Sequence, residues 1–212
     1  MLFAISSISS FVIALLTFFA FLRNLTLFNP NILGLIFGFL GFLGALSVQG
    51  KLRVFYHEFK HKLVSGLVGN RPKKLEIKNA LEGEFEYEYS TETKHYNPFI
   101  ALAPYFFPFV TLFTTPFWTV FLGVEKVIKE AIFVFSLSFD LTFNTSEISP
   151  EQSDFDAVPG GKLTGLVFVI SMNFIQTVLC LSVILGGFDF LTTILFDAFW
   201  TFPIEFFKNS FF

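Results

Sequence analysis

The chain has little of what a water-soluble domain depends on. Only 15% of its 212 residues are Asp, Glu, Lys or Arg, where an ordinary soluble domain carries about 25%. A single cysteine, Cys180, excludes an intrachain disulfide. It lies in an apolar run and reads as a small buried hydrophobe, not a nucleophile. Histidine is scarce as well: His57, His61 and His95 are all there are. No segment repeats at a period of about 20–50 residues, which argues against a solenoid. The formal charge of −3 identifies no partner by itself, and no nucleic-acid partner is expected.

What is present is apolar. The chain is 53% hydrophobic, holds 35 phenylalanines and has a mean hydropathy of +0.66. Several segments reach or approach the roughly 20 apolar residues that cross a bilayer. The expected class is an all-α polytopic membrane protein with roughly five or six transmembrane helices, forming one membrane-embedded domain over residues 1–212. The phenylalanines spread over every apolar segment, as lipid-facing and packing residues do, and so do not mark an aromatic ligand box.

Taken in order, residues 1–22 are apolar with a serine cluster. They lack a basic leader and a small-residue cleavage pattern, so an anchoring helix is expected. Asn29-Pro30 breaks the chain. Residues 31–49 form a second, glycine-rich span suited to close helix approach. A helix resumes over 51–68 and is stopped by Gly69-Asn70-Arg71-Pro72. In residues 73–92, Leu75, Ile77, Phe85, Tyr87 and Tyr89 alternate with Glu76, Lys78, Glu84, Glu86 and Glu88. That period of two predicts a small β-hairpin inserted after the preceding helix. A third apolar segment runs over 97–124, with Pro104, Pro108 and Pro116 placed to kink or break it. Residues 131–143 are too short to span unless their helix begins near Val127. An acidic loop, 144–162, carries Glu147, Glu151, Asp154 and Asp156. A clean span over 163–185 and a last helix over 188–207, with Asp189 and Asp197, complete the chain.

The chemistry concentrates in His57-Glu58-Phe59-Lys60-His61. Four residues turn a helix by about 400°, so the two imidazoles share one face, a turn apart. His-Glu-x-x-His at that spacing chelates one Zn²⁺ and leaves Glu58 as general base toward a water on the metal. Glu58 itself points beside the metal-facing pair and is not a ligand.

The basic block Lys51, Arg53, Lys60, Lys62, Arg71, Lys73 and Lys74 places the motif, and with it the N-terminus, on the cytoplasmic side. Two further crossings return the acidic loop to that side. A catalytic zinc needs a third protein ligand. His95 and the aspartates Asp140, Asp154, Asp156, Asp189 and Asp197 compete for the role, and position on the motif's face favours Asp154 and Asp156.

The motif helix beside a membrane span resembles that of the site-2-protease-type intramembrane zinc metallopeptidases, in particular a small bacterial-type branch lacking appended domains. The likeness covers roughly residues 31–185. Beyond the motif it rests on Gly69-Asn70-Arg71-Pro72 followed by strands, on Ala101-Leu102-Ala103-Pro104-Tyr105-Phe106-Phe107-Pro108, on Gln152-Ser153-Asp154-Phe155, and on glycines ahead of a helix holding Asn173. Two features depart from it. Lys60 and Lys62 replace small or apolar residues, and the Leu-Asp-Gly or Asn-Pro-Asp-Gly ligand motif is absent.

The resemblance implies a catalytic core over 31–185, Asp154 as third ligand with Asp189 in reserve, and Glu58 as the catalytic residue. It further implies Zn²⁺ as cofactor, a membrane-protein or peptide substrate, and an inner-membrane location. An exposed edge of the hairpin could pair with an unwound substrate. Asn173 stands either toward the scissile carbonyl or as a bond between helices. Two other readings compete: an inactive relative that binds membrane proteins as a scaffold, and a transporter or other non-enzymatic membrane protein.

Overall fold

The computed structural model describes residues 2–27, 29–120, 124–149, 152–201 and 203–204. Seven α-helices and one antiparallel hairpin follow in the order α1 (Leu2–Asn24), α2 (Ile32–Ser47), α3 (Gly50–Leu67), β1 (Arg71–Ile77), β2 (Gly83–Glu88), α4 (Asn97–Phe106), α5 (Phe109–Val120), α6 (Lys126–Ser146) and α7 (Gly161–Phe196). The mostly helical class and the inserted hairpin are as the sequence predicts.

Two to four candidate spans are shown, and the expected five or six are not. α1 and the run from Gly161 to Thr201 are long and apolar enough to cross a membrane. The count rises to four if α2 with α3, bent by 105°, and α4 with α5, bent by 85°, each make one span. α6 has the length but carries Lys126, Lys129, Glu130 and Asp140. Such groups are costly at membrane depth unless partnered.

Glycine makes the α2–α6 contact. Gly34, Gly38, Gly41 and Ala45 are the buried positions of α2, a stripe of small residues that lets two backbones meet. A Cβ on Gly41 would stand 2.2 Å from the Phe135 carbonyl oxygen. Ser138 Oγ donates across the seam to the Gly38 carbonyl at 2.7 Å.

α7 is two helices joined at Gly187, whose φ of 69° and ψ of −168° are non-helical. The break lies between the predicted span 163–185 and the predicted last helix from 188. Three of the backbone groups freed there find partners from other elements. Asn29 and Asn31 donate their N–H groups to the Leu185 and Ile184 carbonyls, both at 2.7 Å. Buried Glu130 of α6 accepts from the Phe188 N–H at 2.8 Å and from Asn31 Nδ2 at 2.9 Å. Glu130 thus seals a helix break and plays no part in the motif's site. Beyond Phe196 the chain makes a π-helical turn, Asp197–Thr201; the end of the predicted last helix lies outside the described residues.

Proline behaves unevenly. Pro104 and Pro116 lie within α4 and α5, and the chain bends at Phe107-Pro108. The exposed N-terminus of α5 is capped from a neighbouring helix. Asp140 of α6, fully buried, accepts from Val110 N at 3.1 Å, from Thr111 N at 2.7 Å and Thr111 Oγ1 at 2.8 Å, and from the Tyr56 hydroxyl at 2.9 Å. Four donors on one carboxylate at a helix N-terminus offset the cost of burying it.

The hairpin is antiparallel, with Leu75 opposite Phe85 and Ile77 opposite Gly83. It closes through Lys78 and Asn79 N–H bonds to the Glu82 carbonyl. β1 and β2 both pack on α3. The acidic loop begins later than predicted, because α6 continues through Asn144 to Ser146.

Candidate metal centre

The motif sits in the second turn and beyond of α3, and the 3.6-residue period sets His57 and His61 on one face. Their Nε2 atoms are 3.3 Å apart. Asp154 comes from a single 3₁₀ turn, Ser153–Phe155. Phe155 anchors that turn in an aromatic core with Phe3, Tyr105, Phe106 and Phe168. Asp154 Oδ2 lies 3.7 Å from each histidine Nε2. Among the described residues, this is the grouping whose ligand atoms converge for a metal, all within 4.8 Å of one another.

The outer nitrogens decide the protonation of the inner ones. His61 Nδ1 meets the Ile100 carbonyl oxygen at 2.7 Å, and His57 Nδ1 meets Glu147 Oε2 at 3.0 Å. Both partners are acceptors, so Nδ1 of each ring is the donor there and both Nε2 atoms face the centre, where a metal would take their lone pairs. Two ring nitrogens and a carboxylate oxygen converge there, and a metal binding among them would displace any proton held on Nε2.

That set suits a cation. Two nitrogens about 2.0–2.1 Å from a tetrahedral zinc are themselves about 3.3–3.4 Å apart, which is the spacing observed. Imidazole with carboxylate is an ordinary zinc donor set, and outer-shell acceptors of this kind fix its tautomers.

Asp154 is itself held. The Tyr105 hydroxyl donates to Oδ2 at 2.7 Å, and Tyr105 is fully buried. Burial pushes the Asp154 carboxyl up, but the bonds from His57 and Tyr105 and the charges of both imidazoles outweigh it and hold it below the usual aspartate value. Glu147 likewise falls below its usual value: burial raises it, and His57 and Arg53 more than reverse that.

Glu58 lines the same cavity, of about 510 Å³, with the three donors, Glu147 and the hairpin residues Gly83 and Glu84. β2 begins directly against it, since a Cβ on Gly83 would lie 2.6 Å from Glu58 Cγ. Among the described residues no hydrogen bond occupies the Glu58 carboxylate, which leaves it free to take a proton.

The other sequence candidates lie elsewhere. Asp156 is exposed and pairs with Lys162 at 3.1 Å. Asp189 pairs with Lys126, and Asp197 with Asn24 and Arg23. Asp140 caps α5, and His95 is exposed and lies tilted against the Tyr96 ring. Cys180 is buried in the α6–α7 core. Asn173 donates to the Tyr105 and Val169 carbonyls at 2.6 and 3.0 Å, so it bonds helices and does not face the cavity.

The unexpected Lys60 is fully buried. Its ammonium donates to Asn144 Oδ1 and lies 4.7 and 5.0 Å from the Tyr56 and Phe143 ring centres. It ties α3 to α6 behind the site. Lys62 is exposed.

Sequence reasoning missed two contributors: Glu147, one acid among several in its loop, and the Tyr105 hydroxyl. A buried polar tip inside Ala-Pro-Tyr-Phe-Phe-Pro was the available signal for the second. No family model, curated protein or solved structure matches the chain.

Proposed function

We propose that the chain is a membrane-embedded zinc metalloendopeptidase of the site-2-protease type, cleaving membrane-associated or transmembrane substrates near the cytosolic face. The observation that carries this reading is the convergence of His57 Nε2, His61 Nε2 and Asp154 Oδ2 in one open cavity, beside a Glu58 carboxylate with no hydrogen-bond partner among the described residues.

His57, His61 and Asp154 would hold Zn²⁺. When bound, the ion supplies Lewis acidity, polarising a carbonyl and bringing the pKa of a water to about 7. Glu58 takes the proton from the attacking water and delivers it to the leaving amine nitrogen. Tyr105 keeps the Asp154 oxygen turned to the centre. Residues of β2 form one wall of the cavity, and an extended substrate segment pairs there by adding to the strand edge. An acceptor-rich, partly enclosed site beside apolar helices suits a chain that must unwind from the bilayer before cleavage.

By the positive-inside rule, the basic residues of α3 and β1 support a cytoplasmic site and N-terminus. Glu58→Gln tests the reading. The variant should retain zinc and lose cleavage of a single-pass substrate in reconstituted vesicles. Undiminished cleavage would refute the assignment.

A further inference from the structure

The two histidines are held by unlike partners. His61 donates to a neutral backbone carbonyl, that of Ile100 on α4. His57 donates to a carboxylate, Glu147 Oε2, at 3.0 Å. Glu147 is the residue immediately after α6, and its side chain is only 9% exposed.

Its other oxygen is occupied from the motif helix. Arg53, one turn before His57, gives Nε to Glu147 Oε1 at 2.5 Å and a terminal nitrogen to the Ser146 carbonyl at 2.8 Å and Ser146 Oγ at 3.2 Å. One guanidinium therefore grips the last residue of α6 and the carboxylate that follows it. Because Arg53 and His57 are four apart on one helix, they stand on the same face. The carboxylate bridges them, with one oxygen on each.

We infer that Glu147 is a positioning residue for the zinc ligand His57, set in place by Arg53. Resting on the metal-centre reading above, this adds a role for a residue beyond the three donors. An anionic acceptor fixes the Nδ1–H tautomer, orients the ring, and strengthens lone-pair donation from Nε2. A carbonyl achieves the first two for His61 without the charge. Loss of such an outer partner typically weakens metal binding by about 10–100-fold.

The test uses full-length protein in detergent, with zinc affinity measured by chelator competition and the tautomer of His57 read by ¹⁵N NMR of the zinc-free form at a pH where the ring is neutral. Glu147→Ala should lower zinc affinity by about 10–100-fold and release His57 from a single Nδ1–H tautomer. Glu147→Gln, which keeps an oxygen acceptor and removes the charge, should fall between it and the wild type. It also serves if the alanine variant fails to fold.

Arg53→Gln breaks the same tie between α3 and α6 yet leaves the carboxylate beside His57, so its loss should be smaller than that of Glu147→Ala. Wild-type affinity and a fixed tautomer in a folded Glu147 variant would overturn the inference. So would equal losses in Arg53→Gln and Glu147→Ala, which would mark a purely structural tie. Failure of the wild type to bind zinc is a separate result, and it would overturn the metal centre itself.

Discussion

The Tyr105 hydroxyl donates to Asp154 Oδ2 at 2.7 Å, and that same oxygen is the one 3.7 Å from both histidines. A phenol buried on α4 therefore aims the distant third donor at the motif. Removing it leaves a carboxylate free to turn away. Tyr105→Phe should weaken zinc binding by about tenfold, since a hydrogen bond to a charged group contributes about 1.5–3 kcal/mol. Chelator competition checks this, and unchanged helicity would show that the fold is intact.

Gly83 brings the hairpin onto the motif helix. A side chain there would meet Glu58 Cγ at 2.6 Å and Val54 Cγ1 at 2.7 Å. Gly83→Val should lift the start of β2 and cost about 1–3 kcal/mol by overpacking. Limited proteolysis between Lys78 and Glu82 should then be faster than in the wild type, with a lower Tm in detergent. Peptide hydrolysis should fall as well, because Glu58 and the cavity wall shift together.

The α2–α6 seam has even less room. A Cβ on Gly41 would stand 2.2 Å from a backbone oxygen, which cannot rotate out of the way. Gly41→Val should separate the two helices and lower stability by about 1–3 kcal/mol or more. Gly66→Val, where a side chain meets nothing within 4 Å, is the control and should lie far closer to the wild type in Tm.

Much of this was legible beforehand because it depends on local rules. The His57–His61 face follows from helical period alone. The hairpin follows from alternation, its strands running from 71 to 88 where 73–92 was predicted. The break at Gly187 falls between two predicted apolar runs. What the sequence withheld depends on partners distant along the chain. Asp140, Glu130 and Lys60 look alike as charges in apolar helices, yet one caps α5, one seals α7 and one ties α3 to α6. Glu147 is indistinguishable from Glu151 until Arg53 is seen to hold it. The number of spans turns on a related point: whether each pair bent by 105° or 85° makes one crossing cannot be read from hydropathy.

The central claim is that His57, His61 and Asp154 form a zinc site, and zinc content of the purified protein tests it most directly. After detergent extraction and dialysis against trace zinc, elemental analysis should find roughly one equivalent per chain, as a single three-ligand site requires. His57→Ala and Asp154→Ala should each reduce that to background, with Asp156→Ala unchanged. A wild-type protein that is folded and free of zinc, or that holds it equally well without His57, would contradict the account.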